Sequence, residues 1–262
     1  MKRFINDLKK YKDYIMYQTK AELKREVIGS YLGWIWLFLE PLCFMLIYTF
    51  IAGVVFGSKT QYFPVFVFSG LSLWNFFNKT VTSSVKLVNK NKDIVTKVYV
   101  PKYVLLLVTM GVNFFKLIVT FGLLIVFMIF YQVPVTLNIL WIIPILLCLV
   151  VVTFGVSSIF MHIGVFVEDL VNLTAIGLKF TFYLTGIFYD IKSKVPAPYN
   201  MALLCVNPMA FLITSFRNAL LYSTGINVIV LLIWFAVGIV LSIIGIRTIY
   251  KHENTYVKVM NG

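Results

Sequence analysis

His162 and Asp169 stand seven residues apart, with Glu168 beside the second, and that interval puts two side chains on one face of a helix. An imidazole and carboxylates so placed are parts of a general acid–base pair or of a hydrolytic metal centre. Two groups do not complete a metal site, however, and Asp169 at the start of the next helical stretch is accounted for as an N-cap favoured by the helix dipole. A membrane-embedded glycosyl or acyl transferase built on this cluster would need a self-sufficient site that the sequence does not offer. Glu40, Lys116 and Lys179 are the other reactive groups in unusual company, because all three lie within long apolar stretches. Each would cost about 2.5–3.5 kcal/mol at a bilayer centre, so each needs a partner or water. Counting about 1.5 Å per helical residue places Glu40 and Lys179 at similar depth, where they are expected to face one another or a shared cavity.

The elements that must hold these charges are set by composition. Hydrophobic residues make up 60% of the 262, aromatics 17%, and the mean hydropathy is +0.91, more than a soluble core and its surface accommodate. A bilayer core of about 30 Å needs about 20 apolar helical residues. Six stretches supply them: 32–56, 62–77, 103–131, 137–167, 170–189 and 226–246. The second continues as a polar extension over 78–88. The fold class expected is therefore an all-α integral membrane protein with six transmembrane helices. Its parts are an amphipathic interfacial helix over 1–29, one transmembrane domain over 30–250 and a cytosolic tail over 251–262.

Lysine and arginine orient the spans, since basic connections stay on the cytoplasmic side. Lys2, Arg3, Lys9, Lys10, Lys12, Lys20, Lys24 and Arg25 precede the first span, and Lys86, Lys90, Lys92, Lys97 and Lys102 join the second to the third. Arg247, Lys251 and Lys258 lie in the tail, whereas the opposite connections hold only Lys59, Lys192, Lys194 and Arg217. Both termini are expected in the cytoplasm. The net charge of +13 follows from this bias and from attraction to anionic lipid heads, which removes the case for nucleic-acid binding. The first apolar stretch begins too late and runs too long for a cleavable signal. Cys43, Cys148 and Cys205 match neither a disulfide framework nor a zinc site.

Three connecting segments carry further information. Before the first span, Phe4, Ile5, Leu8, Tyr11, Ile15, Tyr17 and Leu23 interleave with lysine and aspartate, as in a helix lying along a membrane surface. Between the second and third spans, 89–102 reads NKNKDIVTKVYVPK, with apolar residues inside a basic run. In the last outer connection, about 195–222, two apolar helical stretches meet at Asn207-Pro208. A pair of re-entrant helices fits there, half-spans being tolerated where protein or a wet cavity covers their backbone.

At the first span, Ser30, Leu32, Gly33, Trp36, Leu39, Pro41 and Leu42 resemble the S-x-L-G-x-x-W-x-x-L-x-P-L signature of permease subunits of ATP-binding-cassette polysaccharide exporters. Three further stretches agree in order. Asp93 to Pro101 is similar to that family's coupling segment, Phe182 to Tyr189 to its fifth span, and Asn207-Pro208 with Arg217 to its N-P…R region. Three departures concern subfamily and substrate: Glu168-Asp169 in place of Arg-Asp, Gly186 where proline is frequent, and Val27-Ile28 where an aromatic is common.

The resemblance implies a non-catalytic permease that moves undecaprenyl-linked glycan, such as teichoic acid, O-antigen or capsule, outward across a bacterial cell membrane. The alternative within transport is a drug or small-lipid exporter permease. No glycine is followed by lysine, so the phosphate-cradling Gly-Lys-Ser/Thr loop is missing and no cofactor is expected. Energy would come from two copies of a separate ATPase subunit bound to a homodimer, since six spans enclose too little for a hydrated glycan. The coupling helix, about 89–101, would dock that motor through Lys92, Asp93, Ile94, Val95, Lys97 and Val98. Sugars are held by flat aromatic faces, and the first and fifth spans, which flank the family's path, offer Trp34, Trp36, Phe38, Tyr48, Phe182, Tyr183, Phe188 and Tyr189 as its lining. Lys116, read as lying deeper than Glu40, would line that path or meet lipid pyrophosphate.

Overall fold

The computed structural model describes residues 2–28, 33, 35–55, 61–97, 100–253, 255 and 256, and every regular element among them is helical. The N-terminal part forms α1 (Lys2–Lys10) and α2 (Lys12–Ile28). After it come α3 (Ile35–Phe50), prolonged by a π-helical turn over Ile51–Val55, and α4 (Phe63–Val85). Two short helices, α5 (Leu87–Lys90) and α6 (Lys92–Lys97), lead to α7 (Lys102–Phe130). A 3₁₀ turn over Leu137–Trp141 opens α8 (Ile142–Phe166), and α9 (Leu170–Leu184) follows. The C-terminal part holds α10 (Ile191–Lys194), α11 (Tyr199–Val206), α12 (Pro208–Leu220) and α13 (Val228–Lys251).

Among the described residues, three stretches are long and apolar enough to cross a membrane: α7, the 3₁₀ turn with α8, and α13. Helices α11 and α12 pass the same test only as a pair, bent by 101°. The other expected spans fall on α3 and α9, of 16 and 15 residues, and on the more polar α4. The polar extension read at 78–88 is largely the last turns of α4, which runs unbroken to Val85. The fifth stretch, expected to 189, ends its helix at Leu184, because the chain turns at Gly186, whose φ of +66° favours a residue without Cβ.

Helix α4 is the hub, packing against α3, α7, α8, α9 and α12. Its hydroxyls survive among apolar neighbours by bonding back to their own helix. Ser69, Ser72, Thr80 and Ser84 donate to the carbonyls of Phe66, Phe68, Phe76 and Val81. The most extensive pairing is α8 with α13, where small residues let backbones approach. A Cβ on Gly155 would meet the Gly238 carbonyl at 2.9 Å, and one on Gly245 would run into Ser158.

The N-terminal helices are fastened to the bundle. Phe4 packs on Tyr103 at 5.0 Å between ring centroids, and the hydroxyls of Tyr103 and Tyr250 reach Asp7 Oδ2 at 3.1 and 2.7 Å. The apolar side read as lying in the head-group layer is thus divided: Phe4, Tyr11 and Ile15 pack on the core, while Tyr17 points outward. Lys102, almost wholly buried, meets Glu253 at 3.6 Å, and Arg3 meets the same carboxylate at 3.7 Å.

Candidate functional site

The end of α2 and the sides of α3, α4 and α7 enclose a cavity of about 190 Å³. Four ionised groups line it, one from each element: Glu26, Glu40, Lys79 and Lys116. They are paired crosswise. Lys79 Nζ donates to both carboxylate oxygens of Glu40, at 2.8 and 3.0 Å, and Lys116 Nζ lies 2.6 Å from Glu26 Oε2. Neutral polar groups complete the wall, among them Ser72, Asn75 and Asn113, the last donating to Thr80 Oγ1 at 3.0 Å. Pairing is what makes such charges tolerable at low dielectric, because an isolated ion there loses its hydration without recompense.

Glu40 therefore does not face Lys179. Its partner is Lys79, overlooked because it lies beyond the apolar part of the second stretch, yet α4 carries it back alongside α3. Lys179 is exposed on α9 and makes no ion pair among the described residues. Lys116, expected to lie deeper than Glu40, shares one cavity with it and reaches the last turns of α2. The early turns of α7 are packed against the N- and C-terminal helices, which brings Lys116 within reach of α2.

A second, larger cavity of about 400 Å³ shares Glu26 and Asn113 with the first and runs between Glu22 and Arg25 of α2 and Lys86 and Lys90 at α5. The two form a polar track from the α4–α5 junction into the bundle.

The aromatic residues named from sequence separate into groups. Tyr48, Phe182 and Phe188 cluster, with ring centroids 4.3 Å apart for Tyr48–Phe188 and 5.2 Å for Phe182–Phe188. Trp74 of α4, not anticipated, joins at 5.5 Å from Phe182. Tyr183 is exposed beside Phe182, and Tyr189 donates to the Tyr183 carbonyl at 3.0 Å. Trp36 belongs instead to the charged cavity, Phe38 is exposed on α3, and Trp34 lies outside the described residues.

The loop after α9 is pinned from across the fold. Arg217 of α12, buried, donates to the carbonyls of Phe66, Gly186 and Ile187 at 3.0, 2.8 and 2.9 Å. Its guanidinium also lies 3.4 Å from the Phe66 ring centroid. Three carbonyls and a ring face satisfy the fixed fork of an arginine without a carboxylate. Asn207 caps α12 by accepting from the amides of Met209 and Ala210, with Pro208 at the first helical position, where its missing N–H costs nothing.

The expected coupling segment is two helices broken at Asn91, whose side chain donates to the Leu87 carbonyl at 2.8 Å. Lys92 and Asp93 are exposed, Val95 is buried, Ile94 and Lys97 lie on α6, and Val98 is outside the described residues.

The His162 cluster is not a catalytic arrangement. His162 Nδ1 meets the Tyr256 hydroxyl at 2.7 Å, while Glu168 and Asp169 are exposed at the turn between α8 and α9. Burial, with Glu253 adding to it, holds the Tyr256 phenol above its ordinary range, so it keeps its proton. Asp169 holds the N-cap position, but its side chain makes no capping bond. Its backbone is already helical at φ −66° and ψ −13°, unlike the extended geometry that turns a cap side chain toward the first amides. No group of three potential metal ligands occurs among the described residues.

The ABC-2 type transporter family matches residues 17–221. The chain is 28% identical over 249 residues to an O-antigen export system permease protein, RfbA, of Klebsiella pneumoniae, covering 95% of each chain. A protein of the same description from Myxococcus xanthus is 27% identical over 217 residues, 83% of this chain and 84% of that one.

Proposed function

The chain belongs to the ABC-2 type transporter family, as the match over residues 17–221 shows, and from that premise we propose that it is the membrane subunit of an exporter of lipid-linked polysaccharide. The observation that carries this reading is similarity to O-antigen export permeases along 95% of both chains. A relative that shared only a cassette-docking segment would not align over the whole bundle. In this reading the substrate is an undecaprenyl-linked glycan, moved outward across a bacterial cell membrane by a homodimer bearing two ATPase subunits.

The parts fit those tasks. Six spans are α3, α4, α7, α8, α9 and α13, with both termini cytoplasmic and the bent pair α11–α12 re-entrant from the outer face. Helices α5 and α6 present Lys90, Lys92 and Asp93 outward, a charged tip of the kind that docks in a groove of a motor subunit. The ring cluster of Tyr48, Phe182 and Phe188 lies where α3 and α9 flank the path, offering apolar faces that contact sugars without trapping them.

The test is ATP hydrolysis by the chain in lipid nanodiscs together with the cassette subunit encoded beside it. Hydrolysis stimulated by undecaprenyl-linked glycan is the expected result. A chain that binds no cassette subunit, or a complex stimulated by a drug-like amphiphile and not by glycan lipid, would overturn the reading.

A further inference from the structure

We propose that the cavity between α2, α3, α4 and α7 is the binding site for the diphosphate headgroup of the lipid carrier, which displaces Glu40 and Glu26 from Lys79 and Lys116. This deepens the exporter reading and rests on it for the identity of the carrier.

Two ion pairs in one cavity are open to two explanations, a structural clasp or a site whose cations are held in waiting. Accessibility separates them. The clasp between Lys102 and Glu253 is shut, with side chains 3% and 10% exposed. In the cavity, Lys79 and Glu40 are 39% and 44% exposed, and Lys116 and Glu26 are 21% and 49%. These carboxylates are bound on one side and open on the other, so an anion entering the cavity can take their place on the lysines.

The arrangement also sorts charge by element. Both cations stand on α4 and α7, which pack together, while both carboxylates stand on the peripheral α2 and α3. Lysine is a compact point charge that binds phosphate without a fixed fork, and two of them suit the two phosphoryl groups of a diphosphate. Asn75 and Trp36 line the same cavity, and both side chains carry neutral N–H donors. Until the headgroup arrives, the glutamates neutralise cations that would otherwise stand unpaired at the membrane.

A charged headgroup needs a wet approach, and one adjoins the cavity. The larger cavity, lined by Arg25, Lys86 and Lys90, leads up to Glu26.

The experiment uses the full chain in phosphatidylcholine nanodiscs, which hold no competing anionic lipid, titrated with farnesyl diphosphate, inorganic pyrophosphate and farnesol. Farnesyl diphosphate is expected to bind at least about tenfold more tightly than either fragment. Lys79→Met and Lys116→Met should each weaken it by at least about tenfold, which is about 1.4 kcal/mol. Glu40→Gln should tighten it, since a competing carboxylate is removed while side-chain volume is kept. Thermal melting of each variant identifies any that fail to fold, and Glu40→Gln, for which a gain is expected, tests the site independently of such losses. Unchanged affinity in both lysine variants, or weaker binding in Glu40→Gln, would make the pairs structural and overturn the site. Equal binding of inorganic pyrophosphate would overturn the lipid assignment in favour of free diphosphate. Glycan-stimulated ATP hydrolysis measured on the same wild-type preparation judges the exporter reading separately: stimulation without lysine-dependent binding leaves the exporter standing and removes the headgroup site.

Discussion

Arg217 Nη1 donates to the carbonyl of Gly186 at 2.8 Å, joining the bent pair α11–α12 to the turn that ends α9. With its bonds to Phe66 and Ile187, this one side chain fixes three segments at a single point. Hydrogen bonds to a charged group contribute about 1.5–3 kcal/mol each, and orphaned buried carbonyls add a desolvation cost. Arg217→Met is therefore expected to destabilise the chain by about 3 kcal/mol or more, read as a lower melting temperature in detergent. Arg217→Lys should recover little, because an ammonium cannot reproduce the planar fork. Gly70→Ala should act in the same direction, since its Cβ would press on the guanidinium. Melting of Arg217→Met at the wild-type temperature would show that the staple carries no load.

The α8–α13 seam gives a second stability prediction. An added Cβ at Gly155 meets Leu241 Cβ at 2.8 Å and the Gly238 carbonyl at 2.9 Å, and backbone cannot yield as a flexible side chain can. Overpacking of this kind costs about 1–3 kcal/mol. Gly155→Val should lower the melting temperature accordingly. Gly122→Ala is the control, because nothing lies within 4 Å of its Cβ, and helix propensity alone should leave it neutral or slightly stabilised. Equal behaviour of the two variants would contradict close helix approach at the seam.

What the sequence conveyed and what it did not follow a physical line. Apolar length marked α7, α8 and α13, because hydropathy is additive along a chain. The Asn207-Pro208 break was legible for a local reason, a side chain capping amides two and three residues on. Glu40 was singled out as needing a partner, but its partner was missed. Lys79 is 39 residues away, and depth counted along separate helices does not register how those helices lean together. The early end of α9 was hidden for a related reason: the turn at Gly186 is held by Arg217, 31 residues later. Trp74 escaped notice because one ring among the 44 Phe, Trp and Tyr residues of this chain carries no signal until packing places it against Phe182.

At the tip proposed to dock the cassette subunit, burial divides residues that sequence treated alike. Val95 is 5% exposed and belongs to the core cluster, while Lys92 and Asp93 are exposed. Charge reversal at the exposed pair, Lys92→Glu with Asp93→Lys, should leave melting within the small range usual for surface changes, about 0.5 kcal/mol. Co-purification of the cassette subunit should fall, with a steeper loss at low salt, where surface charges are least screened. Val95→Asp should instead destabilise the chain itself, since it buries a carboxylate. Retention of the cassette subunit by the reversed pair would move the docking surface elsewhere.

The ring cluster at the C-terminal end of α9 yields the prediction that separates transport from packing. Tyr48 contacts Phe188 at 4.3 Å, Phe182 at 6.3 Å and Phe44 at 6.1 Å, so truncating it to alanine would confound lost packing with lost ligand contact. Leucine keeps most of the apolar bulk but has no flat face; phenylalanine keeps the face. If the rings meet passing sugars, Tyr48→Phe should export as wild type and Tyr48→Leu should export less, at nearly the same melting temperature. One ring contact is worth about 0.5–1.5 kcal/mol, which corresponds to a rate roughly twofold to tenfold lower. The measurement is glycan delivered to the outer face per unit of permease in the membrane. Tyr48→Leu exporting at the wild-type rate would assign the cluster to packing between α3, α4 and α9, and the translocation path would then have to be sought along other residues of those helices.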